Sequence, residues 1–239
     1  MATDLFIRAA CIDWDWVSKD SYLWNIPAIA GMERLDFERP VTCFVGENGS
    51  GKSTLLEAMA INCGFNPEGG TKNYTFSTYD SHSELCRCMR LIRGPRKPRW
   101  GYFLRAESFY NVATAEAEYS RSGGVPQRLH EKSHGESFLT TVQSNFRGGG
   151  VYLLDEPEAA LSPQRQLTLL REIHICAQAG AQFFLVTHSP ILLGLPDAAI
   201  LSFDDGHIHP VAYEDTDSYR ITNLFLSDRK RILRSLIEE

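Results

Sequence analysis

The sequence predicts an α/β fold in which a mainly parallel sheet is covered by helices on both faces. Three short apolar, β-prone runs support this, at Val41–Val45, Val151–Leu154 and Phe183–Thr187. The first two are followed by segments with helical spacing of apolar residues. Strands that are apolar on both faces, alternating with helices, are typical of parallel sheets buried on both sides.

Length and composition indicate one large globular domain spanning residues 1–239. Hydrophobic residues make up 43% of the 239 residues and charged residues 23%, which is the composition of an ordinary globular protein and excludes disorder and coiled coils. Residues 64 to about 134 are rich in Gly, Ser, Arg and Pro, and we expect an irregular or helical insert there.

The same composition argues against two classes of partner. The net charge of −6 does not suit a protein that binds nucleic acid over its whole surface. The apolar runs fall far short of the ~20 residues that a membrane helix needs. The first residues lack a basic and then apolar leader, so the expected compartment is the cytoplasm.

The cysteines are expected to be reduced and to pack as small hydrophobic residues. Cys86 and Cys88 are close in sequence, but a C-x-C pair without a second pair is a poor zinc signature. The full set is Cys11, Cys43, Cys63, Cys86, Cys88 and Cys176.

Before the insert, a first strand is expected within Leu5–Ile12 and a helix over Lys52–Asn62. Within the insert, we expect one strand at Tyr102–Leu104.

After the insert, Ser162 and Pro163 predict the start of a helix and Gly180 its C-cap. Its apolar face is expected to carry Leu167, Leu170, Ile173 and Ala177. A hairpin is expected from Ala199–Phe203 and Ile208–Tyr213 around Asp205 and Gly206, and a helical tail from Asp228 to Glu238.

A phosphate-binding loop follows the first apolar run. Glycines in such a loop turn backbone N–H groups towards phosphates, and the following helix N-terminus adds partial positive charge. Lys52 is expected to reach the β- and γ-phosphates and Ser53 to bind Mg²⁺. A glycine-rich turn that happens to contain lysine is the weaker alternative. The loop residues are Gly46, Glu47, Asn48, Gly49, Ser50, Gly51, Lys52, Ser53 and Thr54.

Two carboxylates end the second apolar run. Asp155 is placed to hold Mg²⁺ through water, and Glu156 to polarise the water that attacks the γ-phosphate. Adjacent acids after a strand also occur as an ordinary turn or helix start. The phosphate loop upstream favours the catalytic interpretation.

His188 follows the third apolar run. Strand ends at the carboxyl edge of such a sheet face the ligand, so His188 is a candidate to contact the γ-phosphate or the attacking water. A single histidine at a strand end is more often an ordinary surface residue.

Ser133, His134, Gly135 and Glu136 precede an expected helix at Ser137–Phe146. The pattern S-x-x-E is typical of a capping box. Ser133 and Gly135 at a helix N-terminus are also suited to a second phosphate site.

The ordered motifs GENGSGKST, SHGES, YLLDEPEAALS and VTHSP resemble those of ABC-type ATPases. More closely, they are similar to those of compact ATPases related to SMC heads. The resemblance implies ATP and Mg²⁺ as cofactors and a head-to-tail homodimer with two ATP molecules at its interface. It also implies that Ser133 and Gly135 act as the signature that faces the partner's phosphate loop.

Two family features have more than one candidate residue in this sequence. The aromatic residue that stacks on adenine corresponds best to Tyr22 and next to Trp24, and a role in the core is an equal alternative. The sensor glutamine is not evident, and Arg105 or Glu107 stands near its expected place.

A basic segment, Arg87–Arg105, holds seven of the chain's 24 basic residues in 19 positions, with Trp100 and Tyr102 among them. It is a candidate surface for DNA or a protein partner, and we favour a solvated or partner-facing surface over one that binds nucleic acid.

The function that these features predict is Mg²⁺-dependent ATP hydrolysis by a cytoplasmic homodimer without membrane insertion. The alternatives are a nucleotide-gated DNA- or protein-binding clamp with very slow turnover, and the ATPase subunit of a transporter. A small-molecule kinase is disfavoured because Glu156 supplies a water-activating acid beside the metal site.

Overall fold

The computed structural model describes residues 4–71, 84–105 and 134–237. The described strands and helices, in chain order, are β1 (Ile7–Ile12), α1 (Pro27–Ala30), β2 (Arg34–Asp36), β3 (Val41–Val45), α2 (Lys52–Asn62), α3 (Leu85–Cys88), β4 (Met89–Arg93), β5 (Trp100–Arg105), α4 (His134–Asn145), β6 (Gly150–Asp155), α5 (Pro163–Gln178), β7 (Gln182–Val186), α6 (Pro190–Leu193), β8 (Ala199–Ser202), β9 (His209–Pro210), α7 (Asp217–Ser227) and α8 (Arg229–Ile237).

The central sheet has six strands in the order β5-β6-β7-β3-β8-β9. The first five are parallel, and β9 pairs antiparallel with β8. This confirms the predicted α/β class with its mainly parallel sheet. The hairpin of β8 and β9 is also as expected, although its second strand has only two residues.

Successive residues of the central strands enter two separate cores. In β7, Phe183 and Leu185 pack with α4 and α5, whereas Phe184 and Val186 pack with α2. The alternation follows from the period of two along a strand. Both faces of the sheet are therefore buried.

The α2 face is covered by more than helices. A three-stranded antiparallel sheet, in the order β2-β1-β4, packs over α2 and contributes Ile7, Ala10 and Leu91 to that core. The side chain of Gln182 accepts from the Ile7 N–H at 2.9 Å and donates to the Ile7 carbonyl at 2.8 Å, joining the two sheets by buried hydrogen bonds.

Strand β4 lies inside the range expected to be irregular apart from one strand. Met89 and Leu91 face the core, and Arg90 is exposed, so the strand alternates in the usual way. Arg90 and Arg93 are the exposed residues of this strand. Because the segment is rich in basic residues, the sequence did not predict a strand here.

Several helix boundaries differ from the sequence predictions. Helix α4 begins at His134, before the predicted Ser137. The predicted tail is preceded by α7, which was not expected, and the two helices meet at Asp228. Ser162 stands at the N-cap of α5, but its side chain makes no capping hydrogen bond, and the C-cap is Ala179 rather than Gly180.

The buried face of α5 also differs from the predicted one. Leu169, Ile173 and Cys176 are buried, whereas Leu167 is 50% exposed, and Leu170 and Ala177 are partly buried against the same core. The predicted face was therefore rotated from the true one, with Ile173 common to both.

Replacing Leu169 with alanine should lower the free energy of unfolding by about 2–5 kcal/mol, because it leaves a cavity between α5 and the sheet. Urea unfolding followed by circular dichroism measures this. The matched control is Leu167→Ala on the same helix, which should change stability by less than about 0.5 kcal/mol. Equal destabilisation by both variants would contradict the assigned face of α5.

Candidate functional site

The loop between β3 and α2 has the backbone that the phosphate-binding motif predicts. Gly51 has φ +100°, and a Cβ atom there would lie 2.7 Å from Ile26 Cγ2 and 2.8 Å from Ile29 Cγ1. Gly46 has φ +134°, and a Cβ atom there would lie 2.9 Å from Asp204 Oδ1. Glycine is therefore required at both ends of the loop by conformation and by space.

Lys52 is the first residue of α2, and its side chain folds back over the loop. It is only 4% exposed. Its Nζ donates to the carbonyl oxygens of Gly46 and Glu47, each at 2.7 Å. Burial lowers the pKa of the ammonium, and nearby carboxylates, Asp204 first among them, act in the opposite direction. The loop thus holds a cation at its centre, as phosphate binding requires.

Ser53 and Asp155, the two candidate magnesium ligands, are brought together. Ser53 Oγ donates to Asp155 Oδ1 at 2.9 Å, joining the start of α2 to the end of β6. Asp155 is buried. Among the described residues no group of three or more His, Cys, Asp or Glu side chains is arranged to hold a metal ion. A hydroxyl and one carboxylate suit Mg²⁺, which takes its other ligands from phosphates and water.

Glu156 has φ +48° and ψ +51°, the left-handed conformation that is unusual for a residue with a side chain. Its N–H donates to the Val186 carbonyl at 2.9 Å, which fixes it beside the end of β7. The carboxylate is half-exposed, and its Oε1 lies 4.0 Å from His188 Nε2. Glu156 and His188 therefore face each other at the carboxyl edge, beyond direct hydrogen-bonding distance.

The segment that carries His188 is held by residues that the sequence did not single out. Glu158 Oε1 accepts the His188 N–H at 2.5 Å, and Ser189 Oγ donates to Gln166 Oε1 at 2.6 Å. Glu158 Oε2 is buried and has no hydrogen-bond partner among the described residues. Glu158 therefore positions His188 by binding its backbone N–H. The only sequence signal for this role is that Glu158 lies two residues after Glu156.

Asp204 was also missed. Its Oδ1 accepts the Glu47 N–H at 2.9 Å, and its Oδ2 accepts from Ser202 Oγ at 2.9 Å. The turn after β8 therefore holds the start of the phosphate loop. The residues bonded are 157 positions apart, so no local pattern could have revealed this contact.

The two candidates for adenine stacking differ in their surroundings. Trp24 lies 4.5 Å from Trp14 between ring centroids, and its Nε1 donates to the Ser18 carbonyl at 2.9 Å. Tyr22 is 46% exposed. It is four residues before Ile26, which packs on Gly51. Trp24 is thus engaged in its own segment, and Tyr22 stays the preferred prediction.

Gly135 lies in the first turn of α4, against the segment that follows β6. A Cβ atom on Gly135 would lie 3.1 Å from the Ala160 carbonyl oxygen and 2.5 Å from Arg165 Nη1. Glu136 Oε1 forms an ion pair with Arg165 Nη2 at 3.2 Å. Ser133 lies outside the described residues, so neither its capping nor its signature role is tested.

The basic segment does not form one patch. Arg105 points towards the edge of the sheet that carries the candidate magnesium ligands Ser53 and Asp155, called here the magnesium edge, and its Nη1 lies 2.8 Å from Glu57 Oε2. Arg96 pairs with Asp4 at 3.0 Å. Arg93 donates to the Asn62 carbonyl at 2.7 Å. Lys97 and Arg99 are exposed. Glu107, the other candidate for the sensor position, lies outside the described residues.

All six cysteines lie in the described part of the chain and none is in a disulfide. Four are buried, whereas Cys11 and Cys86 are partly exposed. Burial raises the pKa of the Cys43 thiol to about 12, so this thiol stays neutral and packs as a small hydrophobic residue.

Comparisons with known proteins find AAA-domain families and ATP-binding proteins. Two family models described as AAA domains match residues 25–93 and 120–194, and the description of the second adds a candidate AbiEii toxin of a type IV TA system. Their matched ranges contain the phosphate loop and the segment from Asp155 to His188, respectively.

Curated relatives are ATP-binding proteins by name. The hemin import ATP-binding protein HmuV of Pseudomonas aeruginosa is 28% identical over 69% of this chain and 72% of its own length. The macrolide export ATP-binding/permease protein MacB of Hahella chejuensis is 27% identical over 70% of this chain, but this spans only 28% of that relative.

Among solved structures, the SMC head domain from Thermotoga maritima aligns with 87% of this chain and 100% of its own, at 17% identity and a TM-score of 0.47. The family matches, the relatives and the loop geometry agree. The chain is therefore similar, by its family matches and its relatives, to P-loop ATPases of the ABC type.

Replacing Asp204 with alanine should loosen the start of the phosphate loop, because the Glu47 N–H loses its acceptor. Hydrogen exchange at residues 46–48 should become roughly five- to tenfold faster, the scale of one lost hydrogen bond. The control is Asp205→Asn, which changes the neighbouring turn residue without touching Glu47. Unchanged exchange in Asp204→Ala would show that this carboxylate does not hold the loop.

Proposed function

We propose that the chain is a Mg²⁺-dependent ATP hydrolase that works as a homodimer with two ATP molecules at its interface. The observation that carries the proposal is the hydrogen bond of 2.9 Å between Ser53 and Asp155. It joins the helix that starts at the phosphate loop to the strand that ends in Asp155 and Glu156.

Each residue has a role that its position supports. Lys52 would exchange its carbonyl partners for the β- and γ-phosphate oxygens of ATP. Ser53 and Asp155 would hold Mg²⁺, which neutralises phosphate charge when bound. Glu156 would orient the attacking water and His188 would contact the γ-phosphate. Catalysis would consist of positioning and charge neutralisation during in-line attack on the γ-phosphate.

The dimer is supported by the surroundings of Gly135. The first turn of α4, which the family resemblance assigns to the partner interface, packs against Ala160 and Arg165 of its own subunit, so the position of Gly135 is fixed before a partner binds. The loop residues Gly46–Thr54 of one subunit would then face Ser133 and Gly135 of the other. Tyr22 would stack on the adenine ring.

A transporter subunit and a slow DNA- or protein-binding clamp are the alternatives. Several relatives are named as import or export proteins, and no helix in the described ranges has the length and apolar character needed to cross a bilayer. The clamp has less support, because Arg96 and Arg105 of the basic segment pair with acids of the same chain. The cytoplasm stays the expected compartment.

A matched pair of variants tests the proposal. Glu156→Gln should bind ATP and dimerise with it, while turnover falls by about 10² or more through loss of the positioned base. Lys52→Ala should lose ATP binding and therefore also dimerisation. Phosphate release and light scattering measure turnover and mass. Wild-type turnover in Lys52→Ala would overturn the assignment of the phosphate loop, and wild-type turnover in Glu156→Gln would leave Glu156 a structural acid.

A further inference from the structure

Arg105 forms an ion-pair network at the magnesium edge of the site. It ends β5 directly opposite Asp155 of β6 in the parallel register. Its Nη1 lies 2.8 Å from Glu57 Oε2, and its Nε lies 3.6 Å from Asp155 Oδ2. The side chains of Arg105, Glu57 and Asp155 are only 23%, 15% and 10% exposed. Charges this close and this shielded from water interact strongly.

The network is connected to both candidate magnesium ligands: Glu57 lies on the same helix as Ser53, and Arg105 faces Asp155. Ser53 and Glu57 are four residues apart on α2 and so lie on the same face of that helix. Asp155 Oδ1 accepts from Ser53, while Asp155 Oδ2 faces Arg105. Without the guanidinium, two carboxylates would stand beside the place where phosphates are expected.

We propose that Arg105 is a built-in counter-cation at the magnesium edge, which neutralises Asp155 and Glu57 and lets the chain bind ATP before a metal ion is present. This inference rests on the proposed ATP site. Arg105 is then a positioning residue that acts on ATP through the charge of the site. Binding of metal-free ATP depends on Arg105 far more than binding of Mg·ATP does.

Equilibrium binding of fluorescent mant-ATP, measured once in EDTA and once in excess Mg²⁺, tests the charge role. In EDTA, Arg105→Gln should weaken binding about tenfold or more, because the two carboxylates then repel the phosphates. In Mg²⁺ the change should be less than about threefold, since the metal supplies the missing charge. The charge-retaining Arg105→Lys should bind metal-free mant-ATP within about threefold of wild type.

Glu57→Gln provides the opposite charge change in the same network. It keeps the size of the side chain and a hydrogen-bond acceptor for Arg105, but removes one negative charge. Metal-free mant-ATP should therefore bind more tightly, by about threefold or more. If the ion pair between Arg105 and Glu57 were merely structural, both variants would weaken it. Arg105→Gln and Glu57→Gln would then both bind mant-ATP more weakly, in EDTA and in Mg²⁺ alike.

The outcomes are separable. Opposite shifts for Arg105→Gln and Glu57→Gln in EDTA support the proposal, and equal weakening by both, or no shift in either, overturns it. If Arg105→Gln does not fold, the sign of the Glu57→Gln shift decides alone. Arg99→Gln, at an exposed arginine of the preceding segment, controls for net charge and should bind like wild type. Wild-type protein that binds no mant-ATP in either buffer would instead reject the proposed function itself.

Discussion

The parallel register of the central sheet is the constraint on which the site depends. Strands β5, β6, β7, β3 and β8 run in the same direction, so their carboxyl ends share one edge. That edge brings together Arg105, Asp155, His188, the phosphate loop and Asp204, which are scattered along the sequence. A slip of one residue in any pairing would turn the corresponding side chain to the opposite face of the sheet. Because successive side chains of each strand are buried in two different cores, this packing fixes the register.

The polar and charged side chains at this edge form hydrogen bonds and ion pairs that join separate strands, helices and loops. Ser53 bonds Asp155, Arg105 bridges Glu57 and Asp155, and Asp204 bonds the backbone of the phosphate loop. Polar groups held in this way keep their geometry before a ligand is bound, which reduces the reorganisation needed during a reaction. The left-handed backbone of Glu156 fits the same pattern, because strain of this kind is retained where surrounding contacts enforce it.

The sequence predicted the parts of the molecule that are encoded locally. Strand Val41–Val45 and helix Lys52–Asn62 have the predicted bounds, because an apolar run and a helical repeat flank an unmistakable loop. Strand β4 was hidden by its arginines, and its antiparallel sheet depends on pairing with the distant β1. Asp204 and Glu158 act through backbone groups far along the chain, which leaves no local pattern. Arg105 was predicted both as part of a basic surface segment and as a candidate for the sensor position, and the structure places it at the end of β5 against carboxylate partners.

The central claim is that two copies of the chain together hydrolyse ATP. The dependence of phosphate release on protein concentration, with saturating Mg·ATP, tests it most directly. The concentration should range from far below to far above that at which light scattering detects ATP-driven dimers. The account predicts that activity per chain rises across this range and then levels off as dimers fill. Phosphate release strictly proportional to protein throughout would show that a single chain hydrolyses ATP and would contradict the account.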